Sequence, residues 1–238
     1  MEPIIILLTA LAPVAILIFY IYRRDKSSPE PVKLLLKAFG FGVVSVFVSL
    51  VISTPLGALG IFPDNPTTII GSICTSFFGA AIPEEIAKLV MLWLVLRKNP
   101  YFDEKMDGIV YAVCISLGFA AFENVSYLFV YSEDFLSVGI VRAIFSVPGH
   151  FCFGVLMGYY YSLAKFYPRS PKRNKTLVLL APIIVHGLFD SILFISDATP
   201  AISGILSIVF VYFCYKMWKY CSRSIEGHLQ RDGIYSIK

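Results

Sequence analysis

Charged residues are scarce in this 238-residue sequence: they make up 15% of it, whereas 57% of the residues are hydrophobic and the mean hydropathy is +0.75. This composition excludes a soluble globular protein. Polar low-complexity segments, collagen-like repeats and clusters of basic residues are also lacking, which excludes intrinsic disorder and nucleic-acid-binding modules. The sequence therefore predicts a polytopic membrane protein whose environment is the lipid bilayer.

Features of secreted proteins are lacking as well. The five cysteines are odd in number and four of them lie inside apolar stretches, so no disulfide framework is predicted. No basic residue precedes the first apolar stretch, and Arg23-Arg24 follow it directly, which is the reverse of a cleavable signal peptide. We therefore expect the first apolar stretch to be retained as a membrane anchor.

Seven apolar stretches are long enough to cross a hydrocarbon core of about 30 Å as α-helices. Their unbroken runs lack the period-2 alternation of a β-barrel, which favours an all-α fold. The stretches are 4–22, 38–59, 69–96, 108–130, 138–164, 176–196 and 200–219. The sequence thus predicts a single transmembrane domain over residues 1–220, with a catalytic core in about 69–196, and a short cytoplasmic surface tail over 221–238.

The basic residues predict the orientation of these helices. Every second connection between the apolar stretches is rich in lysine and arginine. All of the 20 basic residues except Lys88 and Arg142 lie in these connections or next to them. The positive-inside rule then places the N-terminus outside and the C-terminus in the cytoplasm. Of the other charges near helix ends, Arg142 is expected to extend toward the outer interface, and Asp107 is interpreted as a helix N-cap.

Six ionisable residues lie where lipid does not tolerate charge. A charge at the bilayer centre costs about 2.5–3.5 kcal/mol on insertion scales. Counted from the middle of each stretch, all six lie within about 6 Å of the midplane, so we expect them to converge on one hydrated pocket. Prolines flank the same layer and free backbone carbonyls or kink the helices there. The ionisable residues are Glu84, Glu85, Glu123, His150, His186 and Asp190, and the prolines are Pro83, Pro148 and Pro182.

The spacing of these residues suggests how they pair. Lys88 follows Glu84 by four residues and Glu85 by three, so it can reach either carboxylate, although the two glutamates point about 100° apart. Two carboxylates and one cation do not balance, which favours a functional role for one glutamate over a structural ion pair. His186 and Asp190 are four residues apart, the arrangement in which a carboxylate orients an imidazole.

The other polar residues are compatible with two interpretations. Glu123, which adjoins Asn124, is as consistent with a structural hydrogen bond between helices as with chemistry. His150 is set apart from an ordinary buried histidine only by its depth in the membrane.

Glutamates and histidines in a dry layer favour hydrolysis. A carboxylate can activate water while imidazoles stabilise the oxyanion, or a divalent metal can supply both functions. The HExxH motif is absent, but a zinc site built from Glu85, His150 and His186 remains an alternative. A proton- or cation-coupled carrier, and a non-catalytic membrane scaffold, are further alternatives, although no internal repeat supports the carrier.

Four motifs follow one another in the third to sixth stretches. They are Glu84-Glu85-Ile86-Ala87-Lys88, Phe122-Glu123-Asn124-Val125-Ser126-Tyr127, His150 with Gly154, and His186-Gly187-Leu188-Phe189-Asp190. In this order they resemble the PrsW family of intramembrane proteases, which is similar to the CAAX prenyl-protein endopeptidases. The latter place an arginine one position later than Lys88 and a histidine where Ser126 stands here.

The resemblance implies an endopeptidase that cleaves a membrane-anchored substrate, typically the site-1 cleavage of an anti-sigma factor in a stress response. In the expected mechanism Glu84 or Glu85 is the general base, His150 positions the water, and His186, oriented by Asp190, donates to the oxyanion. The supporting residues are Lys88, Glu123, Asn124 and Tyr127. This mechanism needs no metal. Glu123 and Asp190 are expected slightly to the outer side of the membrane midplane, which suggests cleavage near the extracytoplasmic face.

Overall fold

A computed structural model describes residues 2–25, 28–167 and 171–233 of the chain. This part is helical almost throughout and contains no β-strand, which confirms the all-α class. The α-helices are α1 Glu2–Arg24, α2 Val32–Ala58, α3 Ile69–Cys74, α4 Ile82–Leu96, α5 Lys105–Val130, α6 Phe135–Val141, α7 Val147–Phe166, α8 Pro171–Ala198 and α9 Ser203–Arg231. Two π-helical segments, Thr75–Ala81 and Arg142–Ser146, join α3 to α4 and α6 to α7.

Six helical segments within the described residues are long and apolar enough to cross a membrane. They are Pro3–Arg24, Val32–Ala58, Lys105–Val130, Ser132–Phe166, Lys172–Ala198 and Pro200–Arg231. The chain is therefore a multi-pass membrane protein, as predicted. The third predicted stretch, 69–96, is also helical from end to end but is divided by a π segment, so the number seven and the orientation remain predictions. All five cysteines are free thiols, in agreement with the sequence.

Helix α5 lies at the centre of the bundle, packed against α1, α2, α4, α7 and α9. Almost every side chain from Met106 to Ala121 is buried. Small residues make the close packing possible: a Cβ added to Gly154 of α7 would lie only 2.9 Å from Cβ of Ser116 and 3.0 Å from the carbonyl oxygen of Ala112. Close approach through small residues is a common way to pack membrane helices. It holds α7 in a fixed position along α5.

The two π segments end next to prolines of the predicted polar layer. Thr75–Ala81 precedes Pro83, and Arg142–Ser146 precedes Pro148. Proline has no N–H to donate to the carbonyl one turn earlier, so the preceding turn loses a hydrogen bond and can widen. Each α-helix that begins there carries site residues in its first turn, and π-bulges often occur at functional sites.

The C-terminal part of α9 packs against the start of α5. Asp232, directly after α9, accepts hydrogen bonds from the backbone N–H groups of Lys105 at 3.1 Å and Met106 at 2.9 Å. Up to Arg231 the segment predicted as a surface tail over 221–238 is a continuation of α9, with Cys221, Ile225 and Leu229 buried in the bundle. The apolar face of these residues repeats with helical spacing, which explains why the segment packs. Residues 234–238 lie outside the described residues.

The interpretation of Asp107 as a helix N-cap is wrong. The N-cap of α5 is Glu104, and Asp107 is three residues further on. Its carboxylate accepts the backbone N–H groups of Asp103 at 3.0 Å and Glu104 at 2.7 Å. Asp107 is therefore the reciprocal partner in a capping box, a role that its distance from the apolar run did not reveal.

Candidate active site

Lys88 lies between the two glutamates of the first motif. Its Nζ is 2.8 Å from Oε1 of Glu85 and 3.2 Å from Oε2 of Glu84, within one helix. The side chains of Lys88 and Glu85 are 1% and 0% exposed, whereas that of Glu84 is 13% exposed. The two glutamates therefore have different environments: Glu85 is enclosed with the cation, and Glu84 reaches the edge of a cavity.

His186 on α8 contacts carboxylates through both of its ring nitrogens. Nδ1 lies 2.9 Å from Oε1 of Glu85, and Nε2 lies 3.2 Å from Oδ2 of Asp190 and 4.0 Å from Oε2 of Glu84. The ring stacks on Phe153 of α7, with 4.5 Å between the centroids. These contacts determine the position of the ring, since both of its edges and one face are occupied.

His150 on α7 connects the first two motifs. Its Nδ1 lies 3.3 Å from Nζ of Lys88, and its Nε2 lies 2.9 Å from Oε2 of Glu123 on α5. The backbone of α7 is fixed at this point, because the hydroxyl of Ser116 donates to the carbonyl of His150 at 2.6 Å. His150 therefore couples Lys88 on α4 to Glu123 on α5.

Arg142 does not extend toward the outer interface, so this prediction was wrong. Its Nη2 lies 2.8 Å from Oε2 of Glu123, and its Nε donates to Oδ1 of Asn124 at 2.5 Å. The guanidinium also lies 4.1 Å from the ring centroid of Tyr127. A partly buried carboxylate, an amide and an aromatic face on one helix turn hold the guanidinium more strongly than the lipid interface does.

A cavity of about 400 Å³ adjoins these side chains. Its polar lining consists of Glu84, Glu123, Tyr127, Arg142, Ser146, His150, His186, Asp190, Ser196 and Asp197. Asp197 lies in the last turn of α8, at the end opposite to the basic connection. The cavity therefore extends from the polar layer toward the side of the membrane that is poor in basic residues.

All nine residues predicted for the site lie in or beside this cluster. Glu85, Lys88 and Asn124 are buried behind the cavity wall, and the amide of Asn124 also donates to the carbonyl of Ala10 on α1 at 3.0 Å. Arg142 is a site residue that the sequence analysis missed. The sequence feature that could have indicated it is its position: among the lysines and arginines, only Arg142 and Lys88 lie outside the basic connections.

One group of donors in this cluster has the composition of a metal site. Ligand atoms of Glu84, Glu85 and His186 all lie within 4.8 Å of one another. Oε2 of Glu85 is buried and has no hydrogen-bond partner within the described residues. Two carboxylates and an imidazole fit a divalent ion such as zinc, which takes three protein ligands in many catalytic sites. His150, which the sequence analysis included among the ligands, is not part of this group.

Comparisons with known proteins agree with a hydrolytic site in a membrane bundle. Residues 30–217 match the family described as "PrsW family intramembrane metalloprotease". The chain is 37% identical over 213 residues to "Protease PrsW" of Clostridioides difficile (strain 630), which covers 88% of this chain and 87% of the relative. It is 32% identical to "Protease PrsW" of Geobacillus kaustophilus (strain HTA426), over 95% of each chain. No solved structure matches the chain.

The fold, the polar layer and these relatives define a multi-pass membrane protease of the cell membrane. The chain belongs to the PrsW family of intramembrane proteases. This membership favours hydrolysis over the carrier and scaffold alternatives.

Proposed function

We propose that the chain hydrolyses a peptide bond of a membrane-anchored protein substrate of the anti-sigma-factor type, with Glu84 as the general base. Glu84 takes a proton from a water molecule whose oxygen attacks the scissile carbonyl carbon. The proton is then available to the leaving amine as the C–N bond breaks. The substrate class follows from the family resemblance, and the choice of base follows from the environment of the two glutamates.

The observation that carries this assignment is the difference between Glu84 and Glu85. Glu84 lines the cavity, where water and substrate can reach it. Glu85 is fully buried and its Oε1 is shared by Lys88 and His186. A carboxylate that neutralises a buried cation is poorly placed to accept a further proton, so Glu85 suits a positioning role.

His186 is the proposed oxyanion donor. Asp190 at Nε2 and Glu85 at Nδ1 orient the ring, and His186, Asp190 and Glu84 all line the cavity. The Nε2 N–H, at 3.2 Å the longer of the two contacts, is the one that turns from Asp190 to the oxyanion as it forms. His150 bridges Lys88 at 3.3 Å and Glu123 at 2.9 Å, so we assign it a positioning role on these two residues. Arg142, in the cavity lining, is placed to neutralise Glu123. Charges that are oriented before the reaction stabilise the developing oxyanion at little reorganisation cost.

In the predicted orientation the cavity opens toward the extracytoplasmic side. This is supported by the lining residues Ser196 and Asp197 near the end of α8 and by the lack of basic residues in the adjoining connection. We therefore propose cleavage near the outer end of the substrate's transmembrane segment.

A metal-dependent form of the same activity is the second candidate, favoured by the donor group Glu84, Glu85 and His186. These three residues would hold the ion. When bound, a zinc ion supplies Lewis acidity toward a carbonyl oxygen and makes water more acidic. Asp190 would then orient His186 as a ligand through the second ring nitrogen, as carboxylates do in many zinc sites.

The test is cleavage of a co-reconstituted single-span anti-sigma factor in liposomes, with and without a chelator. Glu84→Gln is expected to lower the rate constant by about 10²–10⁴-fold, the range for loss of general base catalysis. Asp64→Asn, in an exposed outer connection, is the matched control and should cleave normally. Full activity of a correctly folded Glu84→Gln protein would refute the assignment. Activity that is lost on chelation and restored by zinc would establish the metal-dependent form.

A further inference from the structure

A second cluster of carboxylates lies far from the candidate active site, at the end of α5 where the basic connections meet. Ligand atoms of Asp25, Glu104 and Asp107 lie within 4.8 Å of one another. Asp107 and Glu123 are both on α5, and their spacing places the two clusters about 24 Å apart along that helix at about 1.5 Å per residue. The proposed cleavage mechanism uses none of these three residues.

Asp25 is the unexplained member of this cluster. It is 0% exposed, and neither of its carboxylate oxygens has a hydrogen-bond partner within the part of the chain that the structure describes. Oε2 of Glu104 is also buried without a partner there. Buried polar groups are almost always paired, and an unpaired charged group is especially costly. Three oxygen atoms at this cluster therefore lack the partner that burial requires.

The described cations nearby are directed to other groups. Nζ of Lys105 lies 2.8 Å from Oδ1 of Asp232, and Nζ of Lys165 donates to the carbonyl of Phe102. Nη2 of Arg24 lies 3.8 Å from Glu226. The cluster thus concentrates negative charge without a cationic side chain from the described residues among its contacts.

The surroundings of Asp25 make this imbalance larger. Asp25 is fully buried, and its charged neighbours include three further acids, Asp107, Glu104 and Asp232. A fifth acid, Glu30, is buried beside this cluster, and the hydroxyl of Tyr111 donates to its carboxylate. In addition, Asp25 directly follows α1, and the C-terminus of a helix disfavours a negative charge. Each of these effects is relieved by a bound cation.

We propose that Asp25, Glu104 and Asp107 bind a hard divalent cation of the Mg²⁺ or Ca²⁺ class. All of the donors are carboxylate oxygens, which these ions prefer, whereas zinc prefers nitrogen and sulfur. Asp25 belongs to the connection between α1 and α2, and the other two ligands belong to the capping box of α5. The ion therefore fastens that connection to the start of the central helix and has a structural role.

The test is thermal unfolding of the full chain in detergent after removal of metals, with Mg²⁺ or Ca²⁺ then added. All proteins carry His186→Ala, which removes a donor from the other candidate metal group, so that any effect is assigned to this cluster. An ion at about a hundred times its Kd is expected to raise Tm by about 5–10 °C. Asp25→Asn should abolish this rise, and Asp103→Asn, at an exposed acid in the connection before α5 and next to Glu104, should retain it.

The metal-free proteins provide a second criterion. Because Asp25→Asn removes an unpaired buried charge, this variant should be at least as stable as its parent without metal, an effect that loss of an ordinary structural contact does not produce. If Asp25→Asn does not fold, Glu104→Gln replaces it, and electron paramagnetic resonance of Mn²⁺ counts the ions bound by the parent. The proposal is overturned if neither cation raises Tm, if Asp25→Asn keeps the full rise, or if no Mn²⁺ binds. No readout involves cleavage, so the outcome is independent of the proposed function.

Discussion

Nζ of Lys88 lies 3.3 Å from Nδ1 of His150, and both side chains are buried. Because an ammonium group can only donate, Nδ1 accepts, and the imidazole carries its proton on Nε2. That N–H donates to Glu123 at 2.9 Å. The contact between Lys88 and His150 therefore fixes a tautomer and connects α4 to α5 through a single ring of α7.

Loss of Lys88 should destabilise the protein strongly. Lys88→Met leaves the buried Glu85 carboxylate without its cation, and breaking a buried ion pair costs about 3–5 kcal/mol of unfolding free energy. The double variant Glu85→Gln/Lys88→Met removes both charges and should recover part of that loss. Unfolding measured in detergent tests this, with Lys98→Met, at an exposed position, as the control. Equal stability of the Lys88 and Lys98 variants would contradict the prediction.

Asp190→Asn should lower activity without a large change in stability. Asp190 orients His186 through Nε2 at 3.2 Å, and loss of such an orienting partner typically lowers activity about 10–100-fold. The measurement is the cleavage rate at saturating substrate. Asp197→Asn is the matched control, because Asp197 lines the same cavity but is exposed and outside the His186 contacts. A normal rate for Asp190→Asn would show that His186 does not need this carboxylate.

Gly154→Ala should disturb the site through the backbone. The added Cβ would lie 2.9–3.0 Å from atoms of Ser116, Ala112 and Val113, so α7 has to move away from α5. His150 is one turn earlier on α7, and we expect a reduced cleavage rate together with a destabilisation of about 1–3 kcal/mol, typical of overpacking. The control is Gly40→Ala, because nothing lies within 4 Å of a Cβ there. Similar behaviour of the two variants would contradict the close contact.

Arg142→Gln should leave Glu123 without its guanidinium partner. The charge-assisted hydrogen bond at 2.8 Å is of a type worth about 1.5–3 kcal/mol, which corresponds to a loss of about 10–100-fold in kcat/KM. Arg142→Lys keeps the charge but not the fork that also reaches Asn124, so it should recover only part of the activity. Cleavage assays on both variants, with the exposed Arg97→Gln as control, measure this. Full activity of Arg142→Gln would assign Arg142 to folding alone.

Local spacing explains which parts of the site the sequence could predict. Glu84 and Lys88 both lie in α4, and His186 and Asp190 both lie in α8. Within each helix a separation of four residues fixes the contact. The all-α class likewise follows from the length of the apolar stretches. The contact of His186 with Glu85 depends instead on how α8 is rotated against α4, and hydropathy does not encode that rotation.

Other features depend on backbone geometry that the sequence pattern leaves open. The prolines predicted that the helices are disturbed, but they did not predict that the turns before them are π-helical. Arg142 lies in one of these segments, and its inward direction depends on the carboxylate and amide that α5 offers at that depth. Asp107 was misinterpreted because the helix begins two residues before it, in a polar segment without apolar periodicity.

The contact of Asp232 with the start of α5 also has a consequence for the order of folding. Within the described residues, the N–H groups of Lys105 and Met106 obtain their side-chain acceptor from Asp232, which follows α9 and is made more than 120 residues later. During synthesis the central helix is therefore in the membrane before its first turn is completed. An intermediate that ends before residue 232 would keep that turn open to water or to a chaperone, and synthesis and packing of the end of α9 would close it.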